Sequence, residues 1–324
     1  MTPERPDSDP RPAPRSTRWA TLLGTALAVA AAVFVARRLL EHWPRLIELA
    51  RSPRLLTATA IASVGYGLAN LLLSSAWHRL LIWCGGDDPG FRTARSIFAR
   101  SQLAKYLPGN IFHLAGRQLL GRRSGVGHRP LAASAVMEAW GLVTAALVIA
   151  VVGMTVGGTF GLVSESSLKI GRHLLIVLLL LAISVPWTVR FWPALAQRWR
   201  RPARSDRAGR LDRFGHPGEL TPAIVRYLAF FLVAGGLLAG LTFAAASDIS
   251  PMHLAGVTTL AAVAWIGGYL TPGAPAGLGV REAILVTTLT PIVGAGESLA
   301  VTAAFRAATV TGDLLFGLIV PRGQ

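Results

Sequence analysis

Residues 131–156 and 223–246 are apolar runs that each contain a single formal charge, Glu138 and Arg226. At about 1.5 Å per residue such a run crosses the roughly 30 Å hydrocarbon core of a bilayer. Further runs at 19–36, 55–77, 172–192 and 299–320 read the same way, giving about six full transmembrane helices. The first could instead be a secretory signal, since Ala28-Val29-Ala30 resembles a cleavage site. Its apolar stretch continues to Arg37-Arg38, which favours a retained span. The fold class expected is all-α and polytopic.

Composition limits the alternatives. The chain is 52% hydrophobic and 15% charged, yet its formal charge is +16. Nucleic acid is not the partner this implies, because the basic residues fall in short loops between apolar runs, where they anchor to anionic headgroups and fix orientation. Only Lys105 and Lys169 of the 32 basic residues are lysine, which reads as a genomic arginine bias. A lone cysteine, Cys84, excludes an internal disulfide and any multi-cysteine metal site. No histidine pair has zinc spacing and no glycine-rich nucleotide loop is present, so neither metal nor cofactor is expected. Residues 1–18 read as a disordered basic cytoplasmic tail. Residues 19–321 form a single transmembrane domain, interrupted by a basic loop at 190–222.

Within that domain one pattern occurs twice, at 105–118 (KYLPGNIFHLAGRQ) and at 268–282 (GYLTPGAPAGLGVRE). Each copy has a Tyr-Leu step and a Pro-Gly pair. Arginine follows nine residues after the proline, with a carboxamide or carboxylate next to it: Pro108 to Arg117-Gln118, Pro272 to Arg281-Glu282. Proline removes a backbone donor and glycine tolerates any φ, so Pro108, Gly109, Pro272, Gly273, Gly277 and Gly279 are assigned to breaking the helix. The helical pieces on either side of the first break, and the 283–294 piece after the second, are too short to cross. Two re-entrant broken-helix hairpins are therefore expected, and residues 253–270 are long enough that either a full crossing or a re-entrant path stays open. With the N-terminus in the cytoplasm, 22 basic residues lie inside and 7 outside, so both termini are placed in the cytoplasm. Three spans between the hairpins would make them an inverted repeat, an arrangement that points to a substrate site.

A charge at membrane depth needs a partner or water, which makes Arg117, Glu138, Arg281, Glu282 and Arg306 candidates for binding, with Gln118 beside Arg117. Each has a structural alternative. Arg281 and Glu282 could pair locally, with Arg306 or Arg117 taking part. Arg117 could snorkel beside Arg122 and Arg123. Arg306 and Asp313, seven apart on one helix face, read as paired through a third residue. Tyr106 reads as an interfacial anchor, His113 as packing, and Gly235, Gly236 and Gly240 as close helix contacts.

YLPGNIFHLAGR, the glutamate of AVMEAWGL, PGAPAGLGVRE and the late Arg306 together resemble the transmembrane flippase domain of the lysylphosphatidylglycerol synthase family, over about residues 50–320. The resemblance implies a bacterial plasma-membrane protein that moves a charged-headgroup lipid between leaflets. That lipid would be an aminoacyl-phosphatidylglycerol or a polyprenyl-phosphate-linked lipid. Its partners would be lipids with anionic or zwitterionic headgroups, and a separate lipid synthase or a second copy of the chain. The soluble aminoacyl-transfer domain of bifunctional members does not follow here, so enzymatic synthesis is not expected. Two departures concern the headgroup: Ala139 stands where the family often has a basic residue, and PGAPAGLG is longer than the usual Pro-Gly-Gly-Leu-Gly. The alternatives from other classes are an intramembrane lipid-modifying enzyme and a non-transporting scaffold for envelope assembly.

Overall fold

The computed structural model describes residues 15–106, 112–159, 173, 176, 180, 220–246, 248–271 and 275–320. Among them the chain is helical with no strand. In chain order the helices are α1 (Arg15–Glu41), α2 (Trp43–Ala50), α3 (Pro53–Trp83), α4 (Phe91–Leu103), α5 (Phe112–Arg123), α6 (His128–Thr159), α7 (Thr221–Ala245), α8 (Pro251–Leu270), α9 (Val280–Val293) and α10 (Ala295–Ile319). Five of the described helices, α3, α6, α7, α8 and α10, are long and apolar enough to cross a membrane. The expected first span lies within α1, which begins at Arg15, inside the stretch read as tail. The expected span at 172–192 and the basic loop at 190–222 fall almost wholly outside the described residues.

Local chemistry starts several of these helices. Proline occupies the first turn of α3, α7 and α8, where its missing N–H removes no helical bond. Ser250 caps α8 by accepting from the His253 backbone N–H. At 20 residues α8 reaches about 30 Å, so its length meets the requirement for a full crossing. By contrast α4 and α5, with 13 and 12 residues, reach only about 20 and 18 Å. The two interrupted segments are therefore unequal, and their likeness is concentrated at the break and the arginine step.

The long α3 lies at the centre, packed against α7 and α10. Behind these, α8 packs on α7 and α6, while α9 lies between α8 and α10. The α4–α5 pair folds on itself, with α4 against α3 and α10 and α5 against α6. Trp77, Phe98, Tyr227, Phe231 and Leu238 fill the core. Backbones approach closely where glycines face each other: a Cβ at Gly312 would lie 2.7 Å from the Ser63 carbonyl oxygen and 2.8 Å from the Gly67 nitrogen. That crossing fixes the height of Asp313 against α3. Gly235 meets α8 at a similar crossing, whereas Gly236 and Gly240 face open space, so close contact applies to only one of these three.

Candidate functional site

The first break begins as α4 ends at Leu103 and a 3-10 turn, Ala104–Tyr106, takes over. Pro108 and Gly109 lie outside the described residues, as do Pro272 and Gly273. The second break ends in a 3-10 turn, Pro275–Gly277, where Ala276, Gly277 and Gly279 have φ of 49°, 70° and 85°. Glycine adopts that left-handed region freely, which explains two of the three positions. The two turns pack against one another, so residues 105 and 276, far apart in sequence, share one interior.

Three carboxylates and four basic groups meet there. Asp313, fully buried on α10, accepts from Lys105 Nζ at 2.7 Å, Tyr106 Oη at 2.5 Å and Asn70 Nδ2 at 3.1 Å. Glu282 accepts from the Gly279 backbone N–H at 2.7 Å, closing the start of α9, and lies 3.5 Å from Arg306 Nε. Arg306 in turn sits 5.7 Å over the Tyr106 ring. Tyr106 is thus the third residue that links Arg306 to Asp313, a bridging position rather than an interfacial anchor. Arg117 and Glu138 form a buried ion pair. Its guanidinium also donates to Ser101 Oγ at 3.3 Å and lies 4.3 Å over Phe98 and 5.0 Å over Trp77. The snorkelling alternative for Arg117 does not hold, because α5 turns that side chain inward, away from the exposed Arg122 and Arg123.

Arg281 differs from the others. Among the described residues its guanidinium has no carboxylate partner, and its buried Nε has no hydrogen-bond partner. It lies 5.9 Å from the Trp265 ring, which Tyr269 stacks at 4.6 Å. Gly268 and Gly277 make room for its stem: a Cβ at either would come within 2.8 Å of Nε. Two cavities open on this residue. One also meets Glu282, Thr302 and Arg306. The other, the larger of the two, meets Lys105, His113, Arg117, Glu138 and Tyr269. Tyr66, Phe230, Trp265 and Arg281 form the wall common to both.

The structure thus gathers Arg117, Glu138, Arg281, Glu282 and Arg306 around one interior. Gln118 is not among them; it lines neither cavity, and its Oε1 is buried without a partner among the described residues. His113 faces the larger cavity with an Nδ1 that has no partner among the described residues, which goes beyond a packing role. Sequence reasoning overlooked Lys105 and Asn70. For Lys105 a signal existed: it is one of only two lysines in an arginine-rich chain. Asn70 carried none, since an asparagine in an apolar helix gives no hint of its partner.

An unpaired cation beside water-sized space in a hydrocarbon environment attracts an anion. The fold and this interior define an all-α, multi-pass membrane protein with a charged centre between broken helices. The chain belongs to the lysylphosphatidylglycerol synthase transmembrane-region family, whose sequence model matches residues 19–317. None of the curated proteins matches it.

Proposed function

We propose that this protein moves a lipid with a charged headgroup between the leaflets of a bacterial plasma membrane, with both termini in the cytoplasm. The observation that carries this reading is Arg281, a guanidinium with no carboxylate partner among the described residues, on the wall shared by two cavities. The physical task is to take a charge through about 30 Å of hydrocarbon. A polar interior answers it by receiving the headgroup while the acyl chains stay in lipid. Arginine suits the phosphate, because its planar fork can donate two parallel hydrogen bonds. The family is one of transmembrane regions, consistent with a role other than lipid synthesis.

The test is reconstitution into vesicles with a trace of fluorescently headgroup-labelled lipid and a membrane-impermeant quencher. Protein-dependent quenching beyond the outer-leaflet half supports movement, and Arg281→Ala should abolish it in folded, inserted protein. Arg281→Lys should restore it only in part, since an ammonium keeps the charge but loses the fork. A change in lipid mass would support an enzyme instead, and no change in either readout would support a scaffold. Wild-type rates in Arg281→Ala would overturn the site assignment.

A further inference from the structure

We infer that the headgroup received here is a phosphodiester with one net negative charge and no ammonium group. The inference rests on the site proposed above and names its substrate class. Its ground is the state of each charge around the two cavities. Asp313 is saturated: Oδ2 takes Lys105 and Tyr106, and Oδ1 takes Asn70. Glu282 divides its oxygens between the Gly279 N–H and Arg306. Glu138 is held by Arg117. Among the described residues no carboxylate at the cavities is free for a lipid ammonium, which would have to displace a protein cation and leave it buried and unpaired.

Aromatic rings are the other recognised site for an ammonium. Here Trp265 already faces Arg281, Tyr66 and Phe230 share the wall with that guanidinium, and Tyr269 is stacked on Trp265, so an ammonium over any of these rings would stand beside a cation that no carboxylate among the described residues balances. Among the described residues, the four basic side chains that line the cavities face two lining carboxylates, Glu138 and Glu282, and the buried Asp313 behind Lys105, and the cation left over is Arg281. One phosphodiester balances it. A phosphomonoester dianion would bring a second charge with no second free cation. An aminoacylated headgroup would bring ammonium charge to an interior whose unbalanced charge, among the described residues, is already positive.

A phosphodiester could come from a glycerophospholipid or from a polyprenol-linked sugar phosphate, and separate ligands distinguish them. Detergent-purified protein would be titrated, with binding read by native mass spectrometry. The ligands would be dihexanoyl-phosphatidylglycerol, a short-chain polyprenyl sugar phosphodiester, dihexanoyl-phosphatidylethanolamine and lysyl-dihexanoyl-phosphatidylglycerol. At least one of the two ammonium-free phosphodiesters should bind about tenfold more tightly than either ammonium lipid, the scale of one charge-assisted hydrogen bond. Arg281→Gln should erase that preference. Equal or tighter binding of the lysyl or ethanolamine lipid by the wild-type protein would overturn the inference. If the preference is found but no lipid moves in vesicles, the headgroup assignment stands and the transport reading falls.

Discussion

Arg117 and Glu138 are the pair through which a structural and a functional role can be separated one residue at a time. Both are buried, and each is the other's only charged partner among the described residues. Removing one leaves a buried charge alone, at a cost of about 3–5 kcal/mol, whereas replacing both with apolar groups of similar size is close to neutral. We therefore predict that Arg117→Leu lowers the yield and melting temperature of the detergent-purified protein, and that adding Glu138→Leu restores both. Restored stability without restored lipid movement would place the pair in function as well as in folding; a double variant as unstable as the single would sink the ion-pair account. Such charges were visible in the sequence, because an arginine or glutamate inside an apolar run has few solvated places to go. Their partners were not. Nothing in the spacing of Asp313 and Arg306 tells that one takes Lys105 and the other Glu282, since both bonds depend on where two broken helices meet.

Breaks, rather than spans, are the elements that make the interior. The positions of both breaks could be read from Pro-Gly pairs, and the shortness of α4 and α5 from their lengths, because these are local properties of the chain. The contact between the two turns could not, being a long-range outcome of how α3, α8 and α10 cross. Gly277 makes this testable: it has φ +70°, and a Cβ there would press on Arg281 Nε and the Gly268 Cα at 2.8 Å. Gly277→Ala should destabilise by about 1–2 kcal/mol from the left-handed backbone alone and should displace Arg281 as well. Loss of headgroup binding together with a lower melting temperature is expected, while Gly236→Ala, facing open space within α7, should leave both unchanged or raise the melting temperature. Equal behaviour of the two variants would contradict the cradle. Outside the spans, the loop joining α3 to α4 is pinned by Asp88, which bonds the His78 ring at 2.7 Å and the Gly90 N–H at 2.8 Å. Those two bonds, the histidine first, hold its carboxyl below the ordinary range. A lowered folded-state value means the loop has its full tether above the ordinary carboxylate value of about 3.9 and loses it as pH falls further. Amide exchange at 85–90 should accelerate on acidification below that value in the wild type and lose this pH dependence in Asp88→Asn; an unchanged profile in the variant would remove Asp88 from the tether.

At the scale of the whole molecule, the ion pairs link the turns to the surrounding helices. Lys105 and Tyr106 join the first break to α10 through Asp313, and Arg306 joins the second break to the same helix through Glu282. One helix, α10, therefore holds both turns, and Arg281 lies on the wall between the cavities beside them. A headgroup passing from one cavity to the other has to pass that wall, and with acyl chains attached it needs a lateral opening that two packed turns oppose. The prediction is that the turns separate during each transport cycle. One cysteine placed in each turn, in a Cys84→Ala background that removes the single native thiol, allows a reducible crosslinker to fix them together. Crosslinking should reduce headgroup-label movement at least about tenfold, equivalent to about 1.4 kcal/mol on the barrier, and reductant should restore it. The same treatment of a single-cysteine variant controls for modification alone. Undiminished movement in the crosslinked protein would mean that the turns act as a fixed wall, and that the headgroup passes Arg281 by motion of side chains and of α3, α7 or α8 instead.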